Sequence, residues 1–309
     1  MPHIYKNLFY NHFENQSYKA KVEDFPTNYK SEENLLLRYK ARIPYFNFHQ
    51  NSLTIRYFKQ GSGELMLKDR RLKVRDEDFL ILNPNDGWEF INERNDYIDV
   101  LSFGISNSLI SQCNFYLQEE NEKILSDPLG ETSHDTFFIE SPLKAKHYAS
   151  GQLLQFIYGL SNQDDFKLTC PDELTIEILQ SIYREQKLGN KIEKEIQAKK
   201  SVTKKETFRR LLLAYEYIHD NVGTHISIEQ LSFVSSLSKF HLYNSFKMAF
   251  GKTPHQYINR LKVSKAKELV KTGKLSISEV SDSLGFSDLS VFSKVFKKVY
   301  GHPPSYYMN

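Results

Sequence analysis

Only two of the 309 residues are cysteine, Cys113 and Cys170. No disulfide framework is therefore expected, and a reducing cytoplasm fits best. No apolar run reaches the roughly eighteen residues that a membrane-spanning helix needs, so no membrane partner is expected. The opening stretch MPHIYKNLFYNHF has neither a continuous apolar segment nor a small-residue cleavage site, which argues against a secretory signal. Ten histidines are present, yet none forms a His-x-His pair. A metal centre needs three or four converging N/O ligands, so none is expected, and His49 and His134 read as surface or hydrogen-bonded core residues. No nucleophile with an arranged base stands out. No catalytic residue and no cofactor is assigned.

What is present is uneven. Residues 201–309 hold 16 Lys+Arg against 8 Asp+Glu, a balance of +8, whereas residues 1–200 hold 25 against 30, a balance of −5. A basic third suits a polyanion partner, though charge alone is equally compatible with a solvated surface of mixed sign.

The two regions also differ in period. From about residue 34 to 105 the pattern has period two. In LTIRYFKQ (53–60), Leu53, Ile55 and Tyr57 alternate with Thr54 and Arg56; in GELMLKD (63–69), Leu65 and Leu67 alternate with Glu64 and Lys68. FLIL (79–82) and YIDVLSFG (97–104) are further strands. The turn signals are Gly61-Ser62-Gly63, Lys68-Asp69-Arg70 and Pro84-Asn85-Asp86-Gly87. Short strands at this spacing predict an antiparallel sandwich or barrel. After Gly104 the pattern turns helical: residues 141–160 predict a helix with Pro142 near its first turn. Residues 171–186 predict another, with Leu174, Ile178 and Ile182 on one stripe beside Leu179 and Tyr183. That stripe either packs on its own domain or forms a dimer interface. Residues 187–205 are charged, poor in large apolar residues, and read as a linker, partly helical.

Beyond the linker one unit is written twice. FKMAFG (246–251) returns as FKKVYG (296–301). Ser227-Ile228-Glu229-Gln230 and Ser276-Ile277-Ser278-Glu279 are both capping boxes. A break at 235–237 leads to Ser238, an N-cap for a helix that ends at Gly251. Gly285 supplies the matching turn, Ser287 or Asp288 caps the next helix, and Gly301 ends it. Two short helices joined this way form a helix-turn-helix. The outward residues are polar or planar: Lys239, Tyr243, Asn244 and Lys247 in the first copy; Ser290, Ser293, Lys294 and Lys297 in the second. Between them, residues 253–273 predict a helix about 28 Å long, with Pro254 in its first turn. Successive major-groove segments on one face of B-DNA lie about 34 Å apart. The expected reason for the duplication is a protein that reads two successive grooves, with helices near 238–250 and 288–300.

Residues 206–309 resemble the DNA-binding domain of the AraC/XylS family of bacterial transcription regulators. The resemblance rests on YIHDN (217–221), SIEQLS (227–232), HLYNSFKMAFGKTPHQYI (241–258), RLKVSKAKELV (260–270) and ISEVSDSLGFSDLSVFSKVFKKVYGHPPSYY (277–307). It implies base contacts from Phe240, Tyr243, Asn244, Ser290, Ser293 and Lys294, and phosphate contacts from Lys239, Lys247, Lys297 and Lys298. Asn244 suits bidentate pairing with adenine, and Phe240 and Tyr243 suit thymine methyls or packing beneath the helix. Ser290 and Ser293 are short, so the second head is expected to read less sequence. The chain departs from the family pattern at Ser232 and Ser281, where Ala is usual, and at Met308, where Arg is usual.

Residues 70–90 resemble the cupin-like sensor domain that many members carry. Trp88 stands where metal-binding cupins place a His. With Phe58 and Phe90 it either lines an effector cavity or belongs to the core. The fold expected is α+β: a cupin-like antiparallel β-sandwich or barrel with following helices (1–186), the linker, and an all-α domain of two helix-turn-helix units joined by a long helix (206–309). The function implied is a cytoplasmic, effector-responsive, homodimeric transcriptional activator that binds double-stranded DNA and works with RNA polymerase. Two rivals remain: a cupin-type enzyme with a helical appendage, and a constitutive DNA binder whose N-terminal domain only dimerises.

Overall fold

The computed structural model describes residues 34–50, 52–67, 70–94, 96–118, 126–127, 138–162, 171–195 and 201–308. The opening stretch, His134, Cys170 and the turn residues Lys68 and Asp69 lie outside them, as does the side chain of His49. The chain divides into two compact units, Met1–Gln186 and Lys187–Asn309.

The first unit is built on two antiparallel sheets. Its strands are β1 (Leu35–Arg42), β2 (Tyr45–Gln50), β3 (Leu53–Gln60), β4 (Gly63–Leu67), β5 (Arg70–Val74), β6 (Asp78–Leu82), β7 (Asn85–Ile91), β8 (Tyr97–Ile105) and the short β9 (Leu143–Lys144). Five strands run in the order β1-β8-β3-β6-β9, and four in the order β2-β7-β4-β5. The four-stranded sheet shows the alternation of a half-solvated sheet. Leu72 and Val74 of β5 point inward, while Arg71 and Lys73 stay exposed beside Glu64 of β4, at 3.9 and 3.5 Å.

The five-stranded sheet is covered on both faces, which changes the reading of β3. Leu53, Ile55 and Tyr57 are buried, but so are Thr54 at 2% and Arg56 at 8% exposure. The sequence pattern assigned Thr54 and Arg56 to a polar face, yet the second sheet lies over it. On that inner side, Phe58, Leu80 and Val100 form one core with Phe46, Leu65, Trp88 and Phe90 of the opposite sheet. The other side is covered by α2 (Ala149–Leu160) and the chain leading into it: Tyr57 packs edge-on against Tyr158 at 5.9 Å, and Phe79 against Tyr148 at 5.7 Å. Among the described residues are also the helices α1 (Asn107–Gln118), whose Cys113 is buried, and α3 (Pro171–Glu195).

Two expectations are corrected here. The helix predicted from 141 begins only at Ala149, because Leu143–Lys144 pairs with the edge of β6 and Ala145–His147 forms a 3-10 turn. No side chain of Tyr148 caps α2; Glu185 of α3 does so instead, accepting from the Ser150 N–H at 3.0 Å and its hydroxyl at 2.5 Å. The stripe on α3 is used within its own unit, with Ile178 at 0% and Ile182 at 1% exposure and Leu174 half-buried. Such burial stabilises by roughly 1.5–3 kcal/mol per side chain, so Ile178 and Ile182 are not surface offered to a partner. The region expected as a partly helical linker is helical over most of its length, with α3 continuing to Glu195 and the next helix starting at Ser201.

The described residues of the second unit from Ser201 onward form only helices: α4 (Ser201–Asp220), α5 (Ile228–Ser235), α6 (Lys239–Phe250), α7 (Pro254–Lys271), α8 (Ile277–Ser283), α9 (Leu289–Tyr300) and a closing 3-10 turn, Pro304–Tyr307. It contains two small cores that share α7. Near the start of α7, Tyr257 packs on Tyr215, Phe246 and Phe250 at 5.5 to 6.0 Å, and its hydroxyl lies 2.9 Å from His219 Nε2. Further along, Val263, Ala266 and Val270 pack with Val280, Leu284, Phe292 and Phe296. A Thr253–Gln256 capping box starts α7; its T-x-x-Q spacing was legible in the sequence and was missed.

Candidate nucleic-acid interface

Both helix pairs are set by local chemistry. Ser227 accepts from the Gln230 N–H at 3.2 Å, and its own N–H donates to Gln230 Oε1 at 2.8 Å. Ser276 and Glu279 do the same at 3.2 and 2.7 Å. The turn after α5 passes through Ser236 in the left-handed region, φ 52, and that after α8 through Gly285, φ 62. Ser238 then caps α6, and Asp288, rather than Ser287, caps α9 through the Val291 N–H at 2.7 Å. Gly251 and Gly301 end the two helices with φ 68 and 81.

Each of the helices α6 and α9 buries one stripe and exposes another. Inside lie Leu242, Phe246 and Ala249 of α6, and Phe292 and Phe296 of α9. Outside, Phe240 is 81% and Tyr243 46% exposed, so neither packs beneath the helix. Asn244 and Lys247 are exposed beside them, giving an i, i+3, i+4, i+7 stripe from Phe240. On α9, Ser290, Lys294, Lys297 and Lys298 are exposed and Ser293 is half-buried. Lys239 is engaged already: its ammonium pairs with Glu229 of α5, which together with a backbone hydrogen bond holds that carboxyl below its usual pKa. Exposed pairs of this kind are weak, so the Lys239 ammonium is not firmly held by Glu229. The helix α7 is 18 residues long, about 27 Å at ~1.5 Å per residue.

Sequence reasoning missed the way the turns are held. Arg210 of α4 donates to the Ser236 carbonyl at 3.0 Å, and Lys262 of α7 donates to the Gly285 carbonyl at 3.0 Å. In both units a cation from the long preceding helix clasps the carbonyl of the left-handed turn residue. The only signal was a lysine between Leu261 and Val263. Lys262 is 5% exposed, and burial lowers its pKa.

Residues 231–309 match the family model described as "Helix-turn-helix domain". The C-terminal region is a helix-turn-helix domain of the AraC/XylS kind. Among curated relatives, the chain is similar to a probable transcriptional regulator, LumQ, of Photobacterium leiognathi, at 36% identity over 31% of this chain and 39% of that protein. It is also similar to the raffinose operon transcriptional regulatory protein RafR of Pediococcus pentosaceus, at 33% identity over 31% of this chain and 34% of that protein. The chain thus spans well under half the length of these relatives. A solved structure of ToxT from Vibrio cholerae aligns over 89% of this chain and 97% of that one at 16% identity, with a TM-score of 0.33, too low to carry an argument.

The described residues of the first unit present no comparable exposed stripe. Phe58, Trp88 and Phe90 are 0%, 2% and 3% exposed and sit in the core between the sheets. Phe58 stacks on Phe90 at 6.1 Å, and the Arg56 guanidinium lies 4.2 Å over the Trp88 ring. Among the described residues no group of three or more His, Cys, Asp or Glu is placed to hold a metal ion, and no helix is long and apolar enough to cross a membrane.

Proposed function

We propose that the chain is a sequence-specific regulator of transcription that binds double-stranded DNA through the AraC/XylS-type domain, in the cytoplasm and without catalysing a reaction. One observation carries this reading: the matched exposed stripes of α6 and α9, each on a capped helix packed against the shared α7. A helix of this size fits the major groove, about 12 Å wide. In this reading Asn244 pairs with adenine, and Phe240 and Tyr243 meet thymine methyls. Ser290, Ser293 and Lys294 touch bases in the next groove, while Lys239, Lys247, Lys297 and Lys298 hold phosphates. Binding selection from a random duplex pool, followed by footprinting, tests it. Two protected segments about one helical turn apart are expected; no protection at low salt sinks the reading.

The two-sheet unit is assigned the regulatory part: binding a small-molecule effector, pairing two copies, or both, with RNA polymerase as the target of activation. An effector there must reach Trp88, Phe58 and Phe90 inside the core between the sheets, where all three are buried. A homodimer contact must use side chains other than Ile178 and Ile182. Thermal stabilisation by candidate effectors separates a sensor from a purely dimerising unit, because a ligand that prefers the native state raises its stability.

A further inference from the structure

The two reading units touch each other at a second place besides α7. Gly285 lies against the loop that leads into α5: a Cβ built on it would stand 3.0 Å from the Thr224 carbonyl carbon and 3.1 Å from the Gly223 carbonyl oxygen. In return, a Cβ on Gly223 would stand 3.2 Å from the Ser283 carbonyl oxygen. Two backbones therefore meet with no side chain between them, one before the first helix-turn-helix and one inside the turn of the second. Gly285 also needs its left-handed φ of 62, so glycine serves both the turn and the close approach.

That contact is anchored. The Gly285 carbonyl accepts from Lys262 Nζ at 3.0 Å, and the same ammonium lies 5.3 Å over the Phe286 ring. Phe286 in turn packs on Phe292 of α9 at 5.1 Å. Lys262 thus fixes the turn to α7, the turn meets the Gly223–Thr224 loop, and the reading helix α9 follows directly from the turn. A single helix joining two heads leaves them free to swivel about it, whereas a second contact off that axis removes the freedom.

We infer that the Gly223–Gly285 joint, anchored by Lys262, sets the spacing and relative facing at which the two reading helices engage DNA, and so makes the protein selective for the distance between two half-sites. This rests on the DNA-binding reading above. Rigid linkage adds affinity only where both sites can be engaged together, by roughly 10²–10⁴-fold, and loses it where geometry forbids that. Inserting one base pair shifts the second half-site by about 3.4 Å and turns it by roughly 35°.

The test uses the full-length protein and a duplex it selects from a random pool, alongside the same duplex with one base pair inserted or removed between the protected segments, and a duplex with one segment scrambled. Wild type is expected to lose about tenfold or more on insertion or removal. Gly223→Val, which forces the joint apart, and Lys262→Met, which keeps the volume but removes the ammonium, are expected to lose less than about threefold. Their affinity for the scrambled duplex should equal that of wild type, a result that mere destabilisation does not produce. Should Gly223→Val fail to fold, Lys262→Met carries the comparison. Variants that keep the wild-type spacing penalty, or a wild type indifferent to spacing, overturn the inference while leaving DNA binding intact. A wild type that selects no duplex overturns the functional reading and the inference with it.

Discussion

The guanidinium of Arg210 donates to the main-chain carbonyl of Ser236 at 3.0 Å, joining α4 to the left-handed turn of the first helix-turn-helix. Ser236 is a non-glycine residue at φ 52, a conformation that costs energy unless its surroundings hold it. The clasp supplies part of that hold. Arg210→Met should therefore lower stability by about 1 kcal/mol, measured by chemical denaturation.

The same arginine is held by Glu206, which pairs with Arg209 at 2.8 Å and Arg210 at 2.8 Å. The Arg209 hydrogen bonds, against the opposing pull of partial burial and helped by Arg210, bring its carboxyl from the usual 4.5 down to about 2. A carboxyl depressed on folding contributes stability above its unfolded value and loses it as pH falls through the folded one. The Tm gap between wild type and Glu206→Gln should therefore be full at neutral pH. It should begin to close near pH 4.5 and vanish towards pH 2. The pair is partly exposed, so the gap should be small and shrink with salt.

Ser232 and Ser281 depart from the family pattern in the same way but predict opposite outcomes. The Ser232 hydroxyl donates to the Leu237 carbonyl, whereas Ser281 is fully buried and its hydroxyl has no hydrogen-bond partner among the described residues. Removing a satisfied group costs stability, and removing an unsatisfied one restores it, each by about 1 kcal/mol. Thermal melts should show Ser232→Ala below wild type and Ser281→Ala above it.

On DNA, Asn244→Ala should cost about 1–3 kcal/mol at the selected site and relax preference at one base position. Lys247→Ala should weaken all duplexes alike and reduce the salt slope by about 1. Glu229→Gln frees Lys239 and removes a negative charge beside the first reading helix. It should tighten binding to every duplex, as read in titrations at several salt concentrations.

Much of the second unit was legible because its determinants are local. A serine three residues before Gln230 or Glu279 caps a helix through atoms one turn away, and Gly251, Gly285 and Gly301 mark left-handed residues wherever the chain is placed. Period-two alternation likewise announced β3 and β4 of the first unit, and the inward face of β4 at Leu65 and Leu67.

Tertiary structure decided what depends on a distant neighbour. Arg56 looks like a surface residue until a second sheet lies over it, and Leu143–Lys144 looks helical until the edge of β6 offers a partner. Glu185 caps a helix that begins 36 residues earlier in the chain, at Ala149. Lys262 and Gly285 are 23 positions apart. The physical reason is the same throughout. Caps and turns draw on hydrogen bonds that a few residues satisfy among themselves, while burial and long-range clasps depend on which surfaces the folded chain brings together, and a linear pattern carries no record of that.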